Sequence, residues 1–527
     1  GYGLGILNNP SDQTAVSLTY GMHVSHFHWD FLNIEIFANG QKMMPDLGYP
    51  DAMNVFVPGI YTWSRNTISH NTVVIDEKRQ QRNLPGALYN FADGSFARVI
   101  NASSPAYEDA QIYRRNITMV DTDNEQSYFI DFFHVHGGYC HNYSLHGPPG
   151  EVISRNGSWS DILPGTFAGP TVEIGKIYDD VKLQNDGHKT GYAAYQGSGY
   201  QHLFNVQKLK SGNGMVEYRH SRDKNARLRL LLLPDTDQDV FLADAYDKPR
   251  GKEHLLKYLI ARRKSNNDIP LESTFISLIA PHKGEDSLFK SAQLIQLDRG
   301  KGHVVEVNRD LLTDVVIHDP TGSQKFLLKY DIHTDATDVV ATFKNNKLIR
   351  LFFSEGSYFR SNGQQFKSEE IRGKVISVDA KNNTFQVELN KTIESPINDL
   401  FGRIAFFTNS YRTTAHPIEN VELINGSLKI RTSDDLLTGH LRIDDIVEDQ
   451  LKSNTSLTFT KDYAGATLLD SDFREVSTLE GVYGGTLSTN HRTAVDAMSV
   501  GDEAWISNIG IGDEFVIKSV FSWDHQQ

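Results

Sequence analysis

Short apolar segments bounded by turn residues recur along the whole chain, and this pattern limits what it can fold into more than any other feature. Residues 73–75, 128–133 and 228–233 are apolar runs of this kind, which are typical of buried strands. Asn425-Gly426 lies between two further apolar runs, and this dipeptide is the strongest short-range signal for a β-hairpin. The sequence therefore predicts an all-β protein, most readily one built of β-sandwiches.

A second hairpin is predicted in residues 371–390, where apolar residues lie on both sides of Lys381-Asn382-Asn383. Residues 254–263 fit either a short helix or another strand. The long strands and most histidines lie in residues 1–345, whereas residues 346–527 contain hairpins with polar turns. We therefore expect a large antiparallel β-sandwich in the first of these ranges, followed by a smaller C-terminal β-domain in the second.

Composition argues against several classes of protein. The chain has 52 Lys and Arg against 66 Asp and Glu, a net charge of −14, whereas a nucleic-acid-binding protein would need a basic footprint. An anionic polysaccharide remains compatible, because a basic cleft can lie on an acidic protein. Cys140 is the only cysteine, so neither an intrachain disulfide nor a Cys-rich zinc site can form. No apolar run approaches the roughly 20 residues that a membrane-spanning helix needs.

The chain opens with Gly-Tyr-Gly-Leu-Gly rather than with Met. We interpret it as a processed or truncated chain and expect an upstream part, with any signal peptide, to be missing from it. The sequence has no Walker loop, no G-x-G-x-x-G and no G-x-S-x-G, so neither a nucleotide-binding protein nor an α/β-hydrolase is indicated.

Three short segments in the first 80 residues carry side chains suited to chemistry. His26, His28 and Asp30 alternate, and on a strand they would share one face. Asp46 precedes a Gly/Pro turn at the predicted end of a strand, and His70 precedes an apolar strand. Two imidazoles and one carboxylate from three strands would suffice for a three-ligand zinc site with an open position.

Each of these features also has a plain structural explanation. The chain contains 20 His, so one His-x-His pair is weak evidence for a metal. Asp46 could simply cap the turn that follows it. Trp29, Tyr61 and Trp63 belong to residue types that commonly pack in cores and across strands.

Taken together, the motifs of the first 150 residues resemble the heparinase II/III-like family of polysaccharide lyases. The resemblance depends on the order of several strings rather than on any one of them. These strings are His26-x-His28-x-Asp30-x-x-Asn33, Phe37-Ala38-Asn39-Gly40, Pro45-Asp46-Leu47-Gly48-Tyr49-Pro50, Ser69-His70-Asn71-Thr72-Val73, Tyr113-Arg114-Arg115, Phe129-Ile130-Asp131-Phe132-Phe133-His134-Val135, Gly137-Gly138 and His141-Asn142-Tyr143-Ser144-Leu145-His146-Gly147.

The resemblance implies a lyase that cleaves a uronic-acid polysaccharide by β-elimination and leaves unsaturated uronate products. It indicates heparan or chondroitin sulfate, alginate or ulvan as the substrate. Such enzymes carry an N-terminal α/α toroid before their β-sandwiches, and this chain resembles only the β part. We therefore expect the toroid, with its catalytic Tyr and its polar partner for the substrate carboxylate, to be missing, and the chain alone to be inactive.

The resemblance also assigns roles to particular residues. It makes His28, Asp46 and His70 the ligands of one zinc ion, which we expect to organise the cleft rather than to act as a Lewis acid. It makes His26 and Tyr61 catalytic, with His26 as the base for one uronate epimer and a Tyr as the acid.

Substrate contacts are predicted for Arg65, Trp63 and Asn71. Arg65, Arg114 and Arg115 would suit a sulfated polymer, although all three are also ordinary strand-edge charges. The surface facing the toroid is expected to be rich in aromatic side chains, namely Phe27, Trp29, Tyr61 and Trp63. We expect a bacterial protein of the periplasm or the exterior, and self-association stays open.

Two other functions fit parts of the sequence. A non-catalytic carbohydrate-binding β-sandwich would keep the aromatic residues but would not need the His and Asp residues together. A metal-dependent glycan hydrolase would need more carboxylate ligands and a positioned water, and no second Asp/Glu cluster is evident. The product separates these functions, because only a lyase leaves a C4–C5 unsaturated uronate that absorbs ultraviolet light.

Overall fold

The computed structural model describes residues 3–525 apart from 12, 24–26, 49–53, 123–125, 248–254, 395, 449, 456, 458–461 and 490–495. Within these residues every strand pairing is antiparallel, which confirms the prediction of an all-β protein. The one α-helix among them is α1 (Val181–Thr190), and no helix in the described ranges has the length and apolarity to cross a membrane. The other helical elements are single turns at Ile60–Ser64, Thr67–Ser69, Tyr200–His202, Leu328–Tyr330, Ala380–Asn382 and Ile397–Leu400.

The first 18 strands form three sheets. The strands are β1 (Leu4–Asn9), β2 (Thr14–Thr19), β3 (Ile34–Ala38), β4 (Gln41–Met44), β5 (Val73–Ile75), β6 (Ala87–Asp93), β7 (Ala97–Ser103), β8 (Ile112–Asp121), β9 (Ser127–His136), β10 (Cys140–His146), β11 (Gly150–Arg155), β12 (Ser158–Trp159), β13 (Phe204–Ser211), β14 (Met215–His220), β15 (Ala226–Leu232), β16 (Asp239–Tyr246), β17 (Leu255–Lys264) and β18 (Glu272–Lys283). Their orders are β1-β2-β3-β4, β12-β13-β16-β17-β10-β5 and β11-β14-β15-β18-β9-β8-β7-β6. The segment 254–263, left open between helix and strand, therefore coincides with β17 from Leu255 onward.

The remaining strands form two further sheets, a barrel and a terminal sheet. The strands are β19 (Ser291–Ile295), β20 (His303–Asn308), β21 (Leu312–His318), β22 (Lys325–Leu327), β23 (Ile332–Thr334), β24 (Asp338–Lys344), β25 (Lys347–Ser354), β26 (Tyr358–Ser361), β27 (Gln364–Lys367), β28 (Ile371–Asp379), β29 (Thr384–Leu389), β30 (Ile404–Thr408), β31 (Thr413–Ile424), β32 (Ser427–Thr432), β33 (Leu437–Arg442), β34 (Asp445–Val447), β35 (Gln450–Lys452), β36 (Thr467–Leu469), β37 (Glu475–Tyr483), β38 (Thr486–Thr489), β39 (Glu503–Ser507), β40 (Glu514–Ile517) and β41 (Val520–Asp524). Their orders are β19-β20-β21-β24-β25-β41, β22-β23-β26-β27, the closed barrel β28-β29-β32-β31-β30-β40, and β33-β39-β36-β37-β38-β35-β34.

The eight-stranded sheet is covered on both faces and forms a middle layer. Phe133 of β9 packs in the core that this sheet shares with Tyr143 of the six-stranded sheet containing β10. Phe132, its neighbour in sequence, packs in a second core with Phe352 of β25. Successive residues of a strand point to opposite faces, so two cores explain why residues 128–133, apart from Asp131, are apolar on both faces instead of alternating.

The predicted boundary between residues 345 and 346 is wrong. Asn345 and Asn346 both have positive φ, +51° and +60°, and form the turn of the β24–β25 hairpin inside one sheet. The last strand, β41, returns to pair with β25, so residues 371–517, which contain the barrel and the terminal sheet, are inserted between two strands of that sheet. The change from long strands to hairpins with polar turns does not reveal that a strand near the C-terminus pairs with β25, which is why the sequence pattern misplaced the boundary.

Both predicted hairpins are present. β28 pairs with β29 across a turn in which Asn383 has a φ of +54°. β31 pairs with β32 across Asn425 and Gly426, whose φ angles are +51° and +86°. Two successive positive φ angles define the type I′ turn that the Asn-Gly dipeptide favours.

Candidate metal centre

Asp46 lies two residues after β4 in a turn that it stabilises itself. Its Oδ1 accepts a hydrogen bond of 2.6 Å from the backbone N–H of Gly48, and Gly48 has a φ of +66°, a conformation that glycine adopts without a Cβ penalty. The turn-capping explanation for Asp46 is therefore correct. It occupies only one carboxylate oxygen, so Oδ2 is left to face the histidines.

His70 is placed by the tight turn Thr67–Ser69, which lies just before β5. The side chain of Asn66 caps this turn, Ser69 Oγ donates to the Asn66 carbonyl at 2.8 Å, and the His70 N–H donates to the Thr67 carbonyl at 3.1 Å. The His70 side chain is fully buried. A rigid turn thus fixes an imidazole in the interior at the start of a core strand, as the sequence predicted.

The three predicted ligands converge on one point. Asp46 Oδ2 lies 3.0 Å from His70 Nδ1 and 3.3 Å from His28 Nδ1. The two imidazole rings are 5.1 Å apart between centroids. One potential ligand atom from each residue lies within 4.8 Å of the other two. Nothing else in the described ranges forms such a group of three or more His, Cys, Asp or Glu side chains.

In this cluster the aspartate and the histidines each favour the charged form of the other. Burial alone would raise the pKa of Asp46, but the neighbouring His28 and His70 imidazoles outweigh it and hold that pKa well below its usual range. Burial alone would lower the pKa of His70, but Asp46, with Asp30 and Glu35, raises it instead. The carboxylate is therefore ionised at neutral pH and can act as an anionic ligand.

The spacing of the three side chains is compatible with a tetrahedral metal ion. Ligand atoms bonded at about 2.0–2.1 Å around a tetrahedral ion are separated by roughly 3.3 Å, close to the two measured distances. Neither ring nitrogen of the buried His70 makes a hydrogen bond of normal geometry to the rest of the described chain. A metal ion between these ligand atoms would coordinate His70 and Asp46 in place of their direct contact.

The prediction of one strand through residues 26–30 is wrong for the described residues 27–30, which form no strand. β3 begins only at Ile34, and the preceding segment turns at Leu32, which has a φ of +58°. Asp30 consequently does not share a face with His28; its carboxylate lies 3.3 Å from His23 Nε2. His26, the predicted catalytic base, lies outside the described residues, so its role stays a prediction.

Two of the predicted substrate contacts are wrong. Trp63 is fully buried, and its indole N–H donates to the Tyr246 carbonyl at 2.8 Å. Asn71 is also fully buried, and its side chain bonds the Ile34 carbonyl and the His146 N–H. Neither side chain can reach a polymer. Both carry out the structural roles that polar and aromatic residues commonly have in cores.

Tyr61 and Arg65, by contrast, are partly exposed. The Arg65 guanidinium lies over the rings of Tyr61 and Phe27, at 5.2 Å and 5.4 Å from their centroids. Its Nε donates to the Phe27 carbonyl at 2.6 Å, and the Trp29 N–H donates to the Arg65 carbonyl at 3.0 Å. Arg65 therefore ties the helical turn that contains Tyr61 to the segment that contains His28.

A buried ion pair that the sequence did not reveal supports the centre. Arg115, offered as a substrate contact or a strand-edge charge, is neither: it is fully buried and pairs with Asp131 through Nε at 3.0 Å and Nη2 at 2.6 Å. Its Nη1 donates to the carbonyls of Leu32 and Asn71, at 2.6 Å and 2.5 Å. One guanidinium thus joins the segments that carry His28 and His70. The only sequence signal was the charge itself, and its neighbours Arg114 and Asn116 are also polar, so the pattern does not indicate burial.

The fold and the site together define an antiparallel β protein in which two histidines and an aspartate converge on one point. Residues 2–134 match the family described as "Heparinase II/III-like, C-terminal". A curated relative, the alginate lyase of Stenotrophomonas maltophilia (strain K279a), is 28% identical over 160 residues, which cover 27% of this chain and 22% of the relative.

Among solved structures, the heparan sulfate lyase HepC mutant from Pedobacter heparinus is 12% identical, with a TM-score of 0.39 covering 58% of this chain and 39% of that one. A heparinase III structure is 14% identical, with a TM-score of 0.39 covering 65% and 41%. The chain spans less than half the length of each of these three proteins. Residues 2–134 are therefore similar to the C-terminal portion of heparinase II/III-like proteins.

Proposed function

We propose that this chain forms part of a polysaccharide lyase that cleaves a uronic-acid polymer by β-elimination. The observation that carries the proposal is the convergence of His28, Asp46 and His70 on one point, beside the partly exposed Tyr61 and Arg65. The matched family and the alginate lyase relative support it.

The reaction needs three kinds of group. A base removes the weakly acidic C5 proton of the uronate, a positive charge stabilises the carboxylate as negative charge develops, and an acid protonates the leaving glycosidic oxygen. Arg65 suits the second task, because it is partly exposed and no carboxylate in the described ranges forms an ion pair with it. Tyr61, beside that guanidinium, suits the acid, and His26 suits the base.

We propose zinc as the metal held by His28, Asp46 and His70. Two imidazoles and a carboxylate are a preferred zinc ligand set. When bound, the ion would supply a positive charge at the rim of the cleft and fix the segments before β3, after β4 and before β5. The protein residues, not the ion, would then exchange protons with the sugar.

The polymer itself is proposed only as a class: a glycosaminoglycan such as heparan or chondroitin sulfate, alginate or ulvan. An upstream α/α toroid is proposed to supply a further Tyr and a polar partner for the substrate carboxylate. Because such polymers lie outside the cytoplasm, we propose the periplasm or the exterior as the site of action. No nucleic-acid partner is proposed, since the net charge is −14.

The test is product formation by the complete protein as its source makes it. The assay follows the ultraviolet absorbance of the unsaturated uronate with each of the four polymers, for the wild type, His70→Ala and the control His440→Ala. His440 is half exposed and pairs with Glu503, in a strand of the terminal sheet. We expect product from the wild type and the control and none from His70→Ala. Hydrolysis products without unsaturation, or equal rates in all three proteins, would contradict the proposal.

A further inference from the structure

A cleft of about 610 Å³ opens where the barrel approaches the edge of the eight-stranded sheet. One wall comes from the sheet and includes Tyr89 of β6 and Arg114 of β8. The other wall comes from the connection between β30 and β31 and includes Tyr411 and Arg412. None of the predicted metal ligands lines it, and of the three arginines considered for a sulfated polymer only Arg114 does.

The Arg114 guanidinium is fixed in this cleft by neighbouring side chains, none of which is a carboxylate. Its guanidinium stacks on the Tyr89 ring at 3.9 Å from the centroid, and its Nε donates to Asn101 Oδ1 at 2.7 Å. No carboxylate among the described residues lies within ion-pair distance; Glu355 and Asp338 act on it only from further away. Burial lowers its pKa from the usual arginine value, but the group stays charged at neutral pH.

Arg412 brings a second positive charge to the same cleft. Its Nη1 donates to the Asp462 carbonyl at 2.6 Å and its Nη2 to the Asn508 carbonyl at 3.2 Å, both backbone oxygens without a full charge. Its Nε is buried and makes no hydrogen bond to the described chain. Neither guanidinium forms an ion pair with a described carboxylate, although Asp462 also lines the cleft and Asp513 acts on Arg412 from further away. The two arginines therefore bring more positive than negative charge to the cleft walls.

The cleft also presents hydroxyl groups and aromatic faces. The buried hydroxyls of Ser104 and Thr414 line it and make no hydrogen bond to any described residue. Tyr89 and Tyr411 are 38% and 44% exposed. Unpaired buried hydroxyls are costly unless a polar ligand or water meets them, and exposed tyrosine rings offer flat faces with a polar tip.

We infer that this cleft is a second binding site for an acidic oligosaccharide, with the carboxylate or sulfate groups on Arg114 and Arg412 and a sugar ring against Tyr89 or Tyr411. The choice of an acidic sugar rests on the proposed function. The site lies between sheet and barrel, so it would hold a part of the polymer away from the metal centre. The barrel would then take part in binding the polymer, because the connection between β30 and β31 supplies Tyr411 and Arg412.

The experiment is calorimetric titration of the full, zinc-loaded chain with a tetrasaccharide of mannuronate and with a heparin-derived tetrasaccharide. Cellotetraose serves as the neutral control and inorganic sulfate as the simple anion. We expect at least one acidic tetrasaccharide to bind, more weakly as salt is raised, while cellotetraose does not. Sulfate binding as tightly as the tetrasaccharides, or no binding of either tetrasaccharide, would overturn the inference.

Substitutions inside and outside the cleft show whether the tetrasaccharide binds there. Arg114→Gln should weaken it roughly 10- to 100-fold, the value of a hydrogen bond to a charged group, and Tyr411→Ala, on an exposed loop, by roughly two- to tenfold. The matched control Arg474→Gln removes an equal charge from a 75% exposed side chain and should bind as the wild type. Unchanged affinity in both Arg114→Gln and Tyr411→Ala would refute the site.

The metal-centre variant His70→Ala separates this inference from the proposed function. Binding that survives His70→Ala and falls in Arg114→Gln supports the second site, whether or not the protein is a lyase. Binding that is lost in His70→Ala and kept in Arg114→Gln places the sugar only at the metal centre, so the inference fails while the proposed function gains support.

Discussion

We expect Arg115→Met to lower the free energy of unfolding of the sandwich by far more than the loss of one ordinary side chain would. Arg115 and Asp131 are both fully buried and joined by two hydrogen bonds. Without the guanidinium, the Asp131 carboxylate would keep only the Tyr143 hydroxyl as a charge-stabilising neighbour on its Oδ2. Breaking a buried ion pair on one side costs about 3–5 kcal/mol, because a buried charge is left uncompensated.

Two further hydrogen bonds disappear with the same side chain. The carbonyls of Leu32 and Asn71 each accept from Arg115 Nη1, and an ordinary hydrogen bond contributes about 0.5–1.5 kcal/mol. These hydrogen bonds and the ion pair come from one side chain, so their contributions do not simply add. The expected loss in the free energy of unfolding therefore stays at about 3–5 kcal/mol. Because the two carbonyls flank the segments of His28 and His70, metal affinity should fall as well.

The assay is equilibrium unfolding of the full chain in urea, following the transition that includes the eight-stranded sheet. The double variant Arg115→Met/Asp131→Leu should recover at least half of the loss, since it removes both charges. Arg431→Met, which breaks the half-exposed pair with Glu419, should cost less than about 1 kcal/mol. A loss below about 1 kcal/mol for Arg115→Met, or a double variant no more stable than the single one, would refute the reasoning.

Three other substitutions have definite expected outcomes. Hydrogen bonds from Thr321 and Ser323 outweigh burial and lower the pKa of Asp319, so Asp319→Asn should destabilise the protein at neutral pH, and thermal melts should show the difference shrinking as pH falls below about 4. Gly426→Ala, at a φ of +86°, should cost about 1 kcal/mol in the unfolding of the barrel. Tyr61→Phe should reduce lyase turnover by roughly 10²–10⁴-fold with unchanged metal content; equal loss of metal would point to a structural role.

Features that depend on neighbouring residues could be predicted from the sequence. The Asn425-Gly426 hairpin follows from the φ angles that this dipeptide accepts. The turn after Asp46 and the position of His70 before a core strand follow from local turn signals in the same way. The convergence of these segments was expected from the resemblance to a family, since no local pattern states which strands meet.

Features that depend on distant parts of the chain could not be predicted. Trp63 and Asn71 look like cleft residues in sequence, but segments around Tyr246 and His146 cover them. The domain boundary failed because β41 pairs with β25 after more than 160 residues, and strand pairing at that separation leaves no local signal. The sequence around Arg115 does not indicate its two carbonyl partners, because burial depends on tertiary packing rather than on residue type.

The assignment of the metal ligands is tested by metal analysis of the complete protein, purified without added metal. We expect about one zinc per chain in the wild type and in the control His440→Ala, because two imidazoles and a carboxylate leave one open position around a single ion. We expect almost none in His28→Ala and His70→Ala, each of which removes an imidazole from the cluster. A wild type without metal after incubation with zinc, or a zinc content unchanged in both variants, would contradict the assignment of His28, Asp46 and His70 as its ligands.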